Sequence, residues 1–346
     1  MLTRDFYFEL PKELIAQRPS AVRGDDRLLR LGRVSGAVEH LAMDDLPGLI
    51  APGTLMLLND SRVRRSRVFG AKEGGSGRVE FMFLTQADAE GLMWRCMVRG
   101  ARRQRPGMRF LFPDGSAGTI VAAAQDEGTE FRTLRFSRPL GEDWFERNGH
   151  VPLPPYIRRG DNEEDSERYQ NVYASRTGSA ACPTAGLHFT DGMLRRLRER
   201  GVDTAFITLH VGLGTFLPVR SERVEDHAMH EEVFTISDDA AAKVNAARGA
   251  ARPILAVGTT TVRALESAAD GGGRVRAGTR STRIFIYPGY KFRVVDQLFT
   301  NFHTPESTLL MLVSAFAGRE HVLSAYSQAV ERGYRFFSYG DAMLIQ

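Results

Sequence analysis

Between residues 66 and 147 the chain changes texture, and that break constrains its fold more than any other feature. Short β-rich runs at 79–85, 92–98, 108–112, 118–123 and 131–136 follow one another, separated by Gly, Pro, Asp and Asn. Several short strands at regular spacing with turn residues between them predict a small all-β barrel or sandwich. On either side the pattern differs. The N-terminal part predicts a helix over 12–17 and holds an apolar run at 54–58. From His150 strand and helix alternate: a helix over 191–200 with Thr190 as its cap and Gly201 as its stop, a strand over 205–211, and a Ser237-capped helix to 248. A buried strand at 254–257, a helix over 260–269, a strand over 282–287 and a final helix over 321–333 complete it. Such alternation is the signature of an α/β domain. The expected architecture is a catalytic α/β domain built from both chain ends, 1–65 and 148–346, with the β-barrel at 66–147 inserted into it. A length of 346 residues accommodates two domains.

Charges at Arg4, Asp5 and Glu9 interrupt the apolar stretch a secretory signal requires. The uncharged segment 307–318 is shorter than the ~20 residues of a membrane span. Two cysteines, Cys96 and Cys182, are too few for a disulfide scaffold or a four-thiolate zinc site. The expectation is a cytoplasmic protein with no membrane partner. Its formal charge of +4 permits an acidic partner, and only four of its 46 cationic side chains are lysines. Arginine forks match phosphate geometry, which suits RNA, while a GC-rich genome accounts for the same bias. The cationic spans 62–67 and 99–109 are candidates for phosphate contacts or solvated faces.

Four local patterns carry chemistry. The GxG of 212–214 follows a strand, but Pro218 and the missing third glycine argue for a tight turn over a dinucleotide loop. Gly258, Thr259, Thr260, Thr261 and Arg263 follow the strand 254–257 and open a helix, so hydroxyls and free N–H groups converge there; the segment reads either as an anion site or as a Thr-capped turn. His227, His230 and neighbouring acids match no zinc-ligand spacing, and acid–base work suits these imidazoles better than metal. Cys182 in its Ala/Pro loop is a packing residue or a nucleophile.

Together the segments LPKELIAQ (10–17), NDSRV (59–63), HVPLPPYI (150–157), PTAGLHFT (183–190), HVG (210–212), GTT (258–260), TNFH (300–303) and YRFFSYGDAM (334–343) resemble, in order, the S-adenosylmethionine:tRNA ribosyltransferase-isomerase family of queuosine biosynthesis. Where that family usually has Ala, Thr, Leu and Lys, this chain has Cys182, Ser61, Thr304 and Glu306. The first departure counts against a cysteine nucleophile, and the last reverses a charge.

The resemblance implies transfer and isomerisation of the ribosyl unit of S-adenosylmethionine onto 7-aminomethyl-7-deazaguanine at the tRNA wobble position. Epoxyqueuosine-tRNA, adenine and methionine result. S-adenosylmethionine is a consumed substrate, so neither cofactor nor metal is expected, and the chain is expected to act as a monomer on tRNA. The implied catalytic residues are His188, His210, His230 and Glu232. Gly258, Thr259, Thr260, Thr261, Arg263, Asn301, His303 and Asp341 are expected to hold substrate, and Arg62, Arg64, Arg65, Arg102, Arg103 and Arg158 to meet RNA. The competing readings are an S-adenosylmethionine-dependent RNA methyltransferase and a non-catalytic RNA-binding protein.

Overall fold

The computed structural model describes residues 1–121, 130–212 and 219–346. The GxG pattern and the end of the expected strand at 118–123 lie partly outside them. Two compact units emerge: Met1–Arg62 with Pro154–Arg159 and Glu167–Gln346, and Val63–Leu153 with Gly160–Ser166. The texture of the sequence places the boundaries after 65 and after 147, whereas residues 63–65 and 148–153 group with the second unit. Hydrogen bonding explains the difference. His150 bridges Arg67, and Asp161 accepts from the Val151 N–H at 3.1 Å.

The larger unit is built on a nine-stranded sheet in the order Gly278–Thr282, Glu232–Ile236, Asp203–Leu209, Leu55–Asn59, Ile254–Val257, Gln297–Asn301, Ala342–Ile345, Arg27–Leu31 and Val38–Ala42. Its four central strands, from Asp203–Leu209 to Gln297–Asn301, run parallel. Strand periodicity of two divides their side chains between two cores. Leu55, Leu57, Ile254 and Ala256 pack on the face covered by helices Asp238–Gly249, Thr259–Ala268, Thr308–Ala317 and Arg319–Glu331. Met56, Leu58, Leu255 and Val257 pack on the face covered by Asp191–Glu199. Buried on both faces, Leu55–Asn59 and Ile254–Val257 read as near-continuous apolar runs. Thr190 caps Asp191–Glu199 by accepting from Met193 N at 3.1 Å, and Ser237 caps Asp238–Gly249. No helix among the described residues is long and apolar enough to cross a membrane.

Two local expectations are corrected. In place of a helix over 12–17 there is one short 3-10 turn, Lys12–Leu14, because the Phe336 backbone captures Ala16 N at 3.2 Å and donates to Leu14 O at 2.8 Å. The strand expected over 282–287 lies at Gly278–Thr282, where a polar edge segment pairs with Glu232–Ile236.

The smaller unit contains a closed antiparallel barrel of Phe131–Phe136, Met93–Val98, Arg78–Gln86, Arg67–Lys72, Arg109–Leu111 and Ala117–Ile120. Its core holds Phe81, Phe83, Trp94, Phe110, Phe112 and Phe136. A Cβ at Gly118 would come within 2.9 Å of Leu134 and Phe136, so the barrel wall has no room for a side chain there. This unit is not purely β. Helix Glu142–Asn148 adds Trp144 and Phe145 to the core, with Trp144 Nε1 donating to Asp114 at 3.0 Å.

Candidate active site

The parallel strands of the larger unit share one carboxyl-end edge, the position where open α/β sheets bind ligands. A cavity of about 340 Å³ lies there. Residues following two adjacent strands line it: Gly258, Thr259 and Thr260 after Ile254–Val257, and Phe302 to Leu309 after Gln297–Asn301. Pro183 to Ala185 and Phe337 to Ser338 contribute further walls.

Gly258 turns the chain from strand to helix at φ +89°, ψ 149°, a conformation open essentially to glycine alone. As first-turn residues of Thr259–Ala268, Thr259 and Thr260 carry N–H groups without intrahelical acceptors, at the positive end of the helix dipole. Thr261 faces inward and its hydroxyl donates to Val257 O at 2.7 Å. Asn59 of the NDSRV segment secures this edge. Its amide donates to Leu209 O at 2.9 Å, and its Oδ1 accepts from Leu209 N at 3.0 Å.

His303 is the histidine in the cavity wall. Its Nε2 contacts Thr300 Oγ1 at 3.0 Å, and its backbone N–H donates to Tyr326 OH at 3.0 Å. Burial lowers its pKa to about 3, so the ring is neutral at working pH. Asn301, also in the wall, donates to the Phe337 carbonyl at 3.1 Å and contacts His188 Nε2 at 3.0 Å. On its other side His188 Nδ1 meets Asp26 at 2.7 Å. Burial works against the Asp26 carboxylate, but His188, Ser20 and Arg335 outweigh it and hold its pKa below the usual value.

The remaining cavity groups are less reactive. Burial raises the pKa of the Cys182 thiol and the Tyr156 phenol, which favours their protonated forms. Tyr156 stacks on Phe337 with ring centroids 4.4 Å apart and hydrogen-bonds Ser338. Phe337 at φ +72° and Glu306 at φ +58° are two of three non-glycine residues with positive φ among the described residues, and both line the cavity. Held strain of this kind concentrates at functional sites.

Several expected site residues lie elsewhere. His188 is buried with both ring nitrogens engaged. Glu232 and Arg263 form a buried ion pair, and Glu232 also accepts from Gly212 N at 3.1 Å. Asp341 is consumed by Arg27 and Arg335, accepting from their backbone N–H groups at 2.9 and 2.7 Å. His230 is exposed, and the partly buried His210 packs against Gly178.

The arginines also divide. In the smaller unit Arg64 pairs with Glu142 and lies over Trp94 and Phe145, while Arg65 bonds Ser166 and Glu146. Arg102 and Arg103 are exposed on the barrel, and Arg99, 85% exposed, reaches Glu80 only at 3.8 Å. Arg62 is half-buried and Arg158 exposed in the larger unit. Sequence reasoning leaves Asp26 out and gives Thr300 and Ser338, though both lie in the matching segments, no role, since each is recognisable only through what it touches. Tyr156 was quoted within a motif but given no role.

Comparison with known proteins supplies the family. The model of the queuosine biosynthesis protein family matches residues 3–345. A protein of Treponema denticola named S-adenosylmethionine:tRNA ribosyltransferase-isomerase is 52% identical, and one of Geobacter metallireducens with the same name is 49% identical; both alignments cover the whole of each chain. The crystal structure of S-adenosylmethionine tRNA ribosyltransferase from Thermotoga maritima matches 99% of this chain and all of its own, with 33% identity and a TM-score of 0.56. The chain therefore belongs to the queuosine biosynthesis protein family and is a transferase.

Proposed function

We propose that this enzyme transfers and isomerises the ribosyl unit of S-adenosylmethionine onto 7-aminomethyl-7-deazaguanine at the tRNA wobble position, releasing adenine and methionine and leaving epoxyqueuosine. The observation that carries the reading, beside family membership, is the strand-end cavity that joins a helix N-terminus to a neutral, buried His303. Its volume is in the range of small-ligand sites. The reading takes tRNA as the partner, a monomer as the acting form and the cytoplasm as the location.

The chemistry assigns work to these residues. The sulfonium acidifies the adjoining ribose carbon, so loss of that proton gives an ylide; departing adenine must gain a proton, and the attacking amine must be neutral. Methionine leaves when its bond to the ribose carbon breaks. Thr259 and Thr260 receive the methionine carboxylate at the helix N-terminus. His303, held unprotonated by burial, is the imidazole placed beside the reacting atoms; its lowered pKa makes it a weak base and its protonated form a strong acid, so any proton it takes passes readily to the departing adenine. Glu306 adds a negative charge to a cavity that must hold a sulfonium. The buried Glu232–Arg263 pair fixes the backbone at Gly212. S-adenosylmethionine is consumed, and every step above runs without a further cofactor.

Product analysis tests this. Incubation with S-adenosylmethionine and tRNA bearing the aminomethyl base is expected to yield adenine, methionine and epoxyqueuosine in equal amounts. Formation of S-adenosylhomocysteine would instead identify a methyltransferase, and no turnover with intact tRNA binding would leave an RNA-binding protein.

A further inference from the structure

Asn301 ends the strand Gln297–Asn301, lines the cavity and is 2% exposed. Its side-chain amide has two hydrogens and both are used. One goes to the Phe337 carbonyl at 3.1 Å, the other to His188 Nε2 at 3.0 Å. A backbone carbonyl can only accept, so Phe337 sets the orientation of the amide independently of the histidine. His188 Nε2 must then accept, which places the ring proton on Nδ1, where it is donated to Asp26 Oδ2 at 2.7 Å. Arg335 and Ser20 hold that carboxylate in turn. At the end of this chain of bonds stands Asn301 Oδ1, buried and without a partner.

A buried carbonyl oxygen left without a donor is costly, and one in the wall of a ligand-sized cavity has a donor within reach once a ligand enters. We infer that Asn301 Oδ1 is the acceptor for a neutral N–H or O–H donor on the nucleoside part of S-adenosylmethionine, and that His188 and Asp26 are positioning residues that hold it in place. The inference rests on the ribosyl-transfer reading and deepens it. A neutral amide oxygen suits a neutral donor, while a buried ammonium needs a counter-charge, which the Glu306 carboxylate of the same wall supplies and Asn301 does not. The donor is therefore the adenine 6-amino group or a ribose hydroxyl. This role also removes His188 from proton exchange, because neither ring nitrogen is open to the cavity.

The test is calorimetric titration of the full-length enzyme with S-adenosylmethionine and three analogues, one lacking the 6-amino group, one the 2′-hydroxyl and one the 3′-hydroxyl. In the wild type the analogue without the recognised donor is expected to bind about ten- to hundredfold more weakly. That loss should vanish in Asn301→Ala, where S-adenosylmethionine itself is weakened by a similar factor. His188→Gln keeps an acceptor for the Asn301 amide and should preserve the discrimination ratio, whereas His188→Ala should erode it. A purely structural histidine would leave the ratio unmoved. The wild-type series needs no variant to fold. If all three analogues bind as tightly as S-adenosylmethionine, or the ratio survives in Asn301→Ala, the inference is overturned while ribosyl transfer stands. Failure of S-adenosylmethionine itself to bind overturns both.

Discussion

His303 owes its chemistry to where it is buried, and that burial is measurable without substrate. Its pKa is about 3 in the folded protein against roughly 6.5 in an unfolded chain, so the unfolded state binds the proton first. The stabilisation is whole above pH ~6.5 and falls as pH drops toward 3, by about 1.4 kcal/mol per pH unit from this single group. Urea unfolding of His303→Gln between pH 7 and 4 is expected to show a flatter decline than the wild type; an identical decline would contradict the assignment. At this scale the sequence was only half legible. The TNFH and PTAGLHFT segments marked His303, Asn301 and His188 as candidates, but whether a histidine faces a cavity or hydrogen-bonds on both sides depends on residues such as Asp26, 162 positions away from His188. The resemblance implies site roles for Asp341 and Glu232, and their local sequence does not show what engages their carboxylates. Their carboxylates are engaged by Arg27, Arg335 and Arg263.

Among the elements, the strand–turn–helix around Gly258 was readable because the pattern is local. Gly258→Ala meets only ordinary contacts, 3.5 Å to Ala185 and 3.6 Å to Thr260, so its cost is backbone strain of about 1–3 kcal/mol. Thermal unfolding should show that loss, together with weaker S-adenosylmethionine binding. Unchanged stability and affinity would mean the turn needs no glycine. The strands at 27–31, 38–42, 232–236, 297–301 and 342–345 went unread, since long-range pairing, not local pattern, makes them part of the sheet. The arginine clusters show the same limit. Arg64 and Arg65 have partners in the smaller unit, whereas Arg102 and Arg103 are exposed. Removing a phosphate contact flattens the dependence of log tRNA affinity on log salt by about 0.7–0.9. Filter binding across a salt series should show this for Arg102→Ala and Arg103→Ala, and an unaltered slope for Arg64→Ala and Arg65→Ala. The reverse outcome would move the RNA contacts to the first cluster.

For the molecule as a whole, the texture break at residue 66 carried the architecture. Alternation of strand and helix in the C-terminal half marked the α/β unit with its nine-stranded sheet, and the run of short strands marked the closed barrel. The helix Glu142–Asn148 was hidden because its seven residues span only two turns, too few for helical periodicity to stand out. Its Trp144 fills the barrel core, and Trp144→Ala is expected to cost about 3–5 kcal/mol, read as early unfolding of the smaller unit by hydrogen exchange. A loss below 1 kcal/mol would show the helix to be dispensable. The central claim, that ribosyl transfer takes place in the strand-end cavity with His303 exchanging protons, is tested most directly by single-turnover adenine release in wild type and His303→Gln, both saturated with S-adenosylmethionine and tRNA bearing the aminomethyl base. The account predicts that the variant binds both substrates and releases adenine about 10²–10⁴-fold more slowly. Adenine release at the wild-type rate would contradict it.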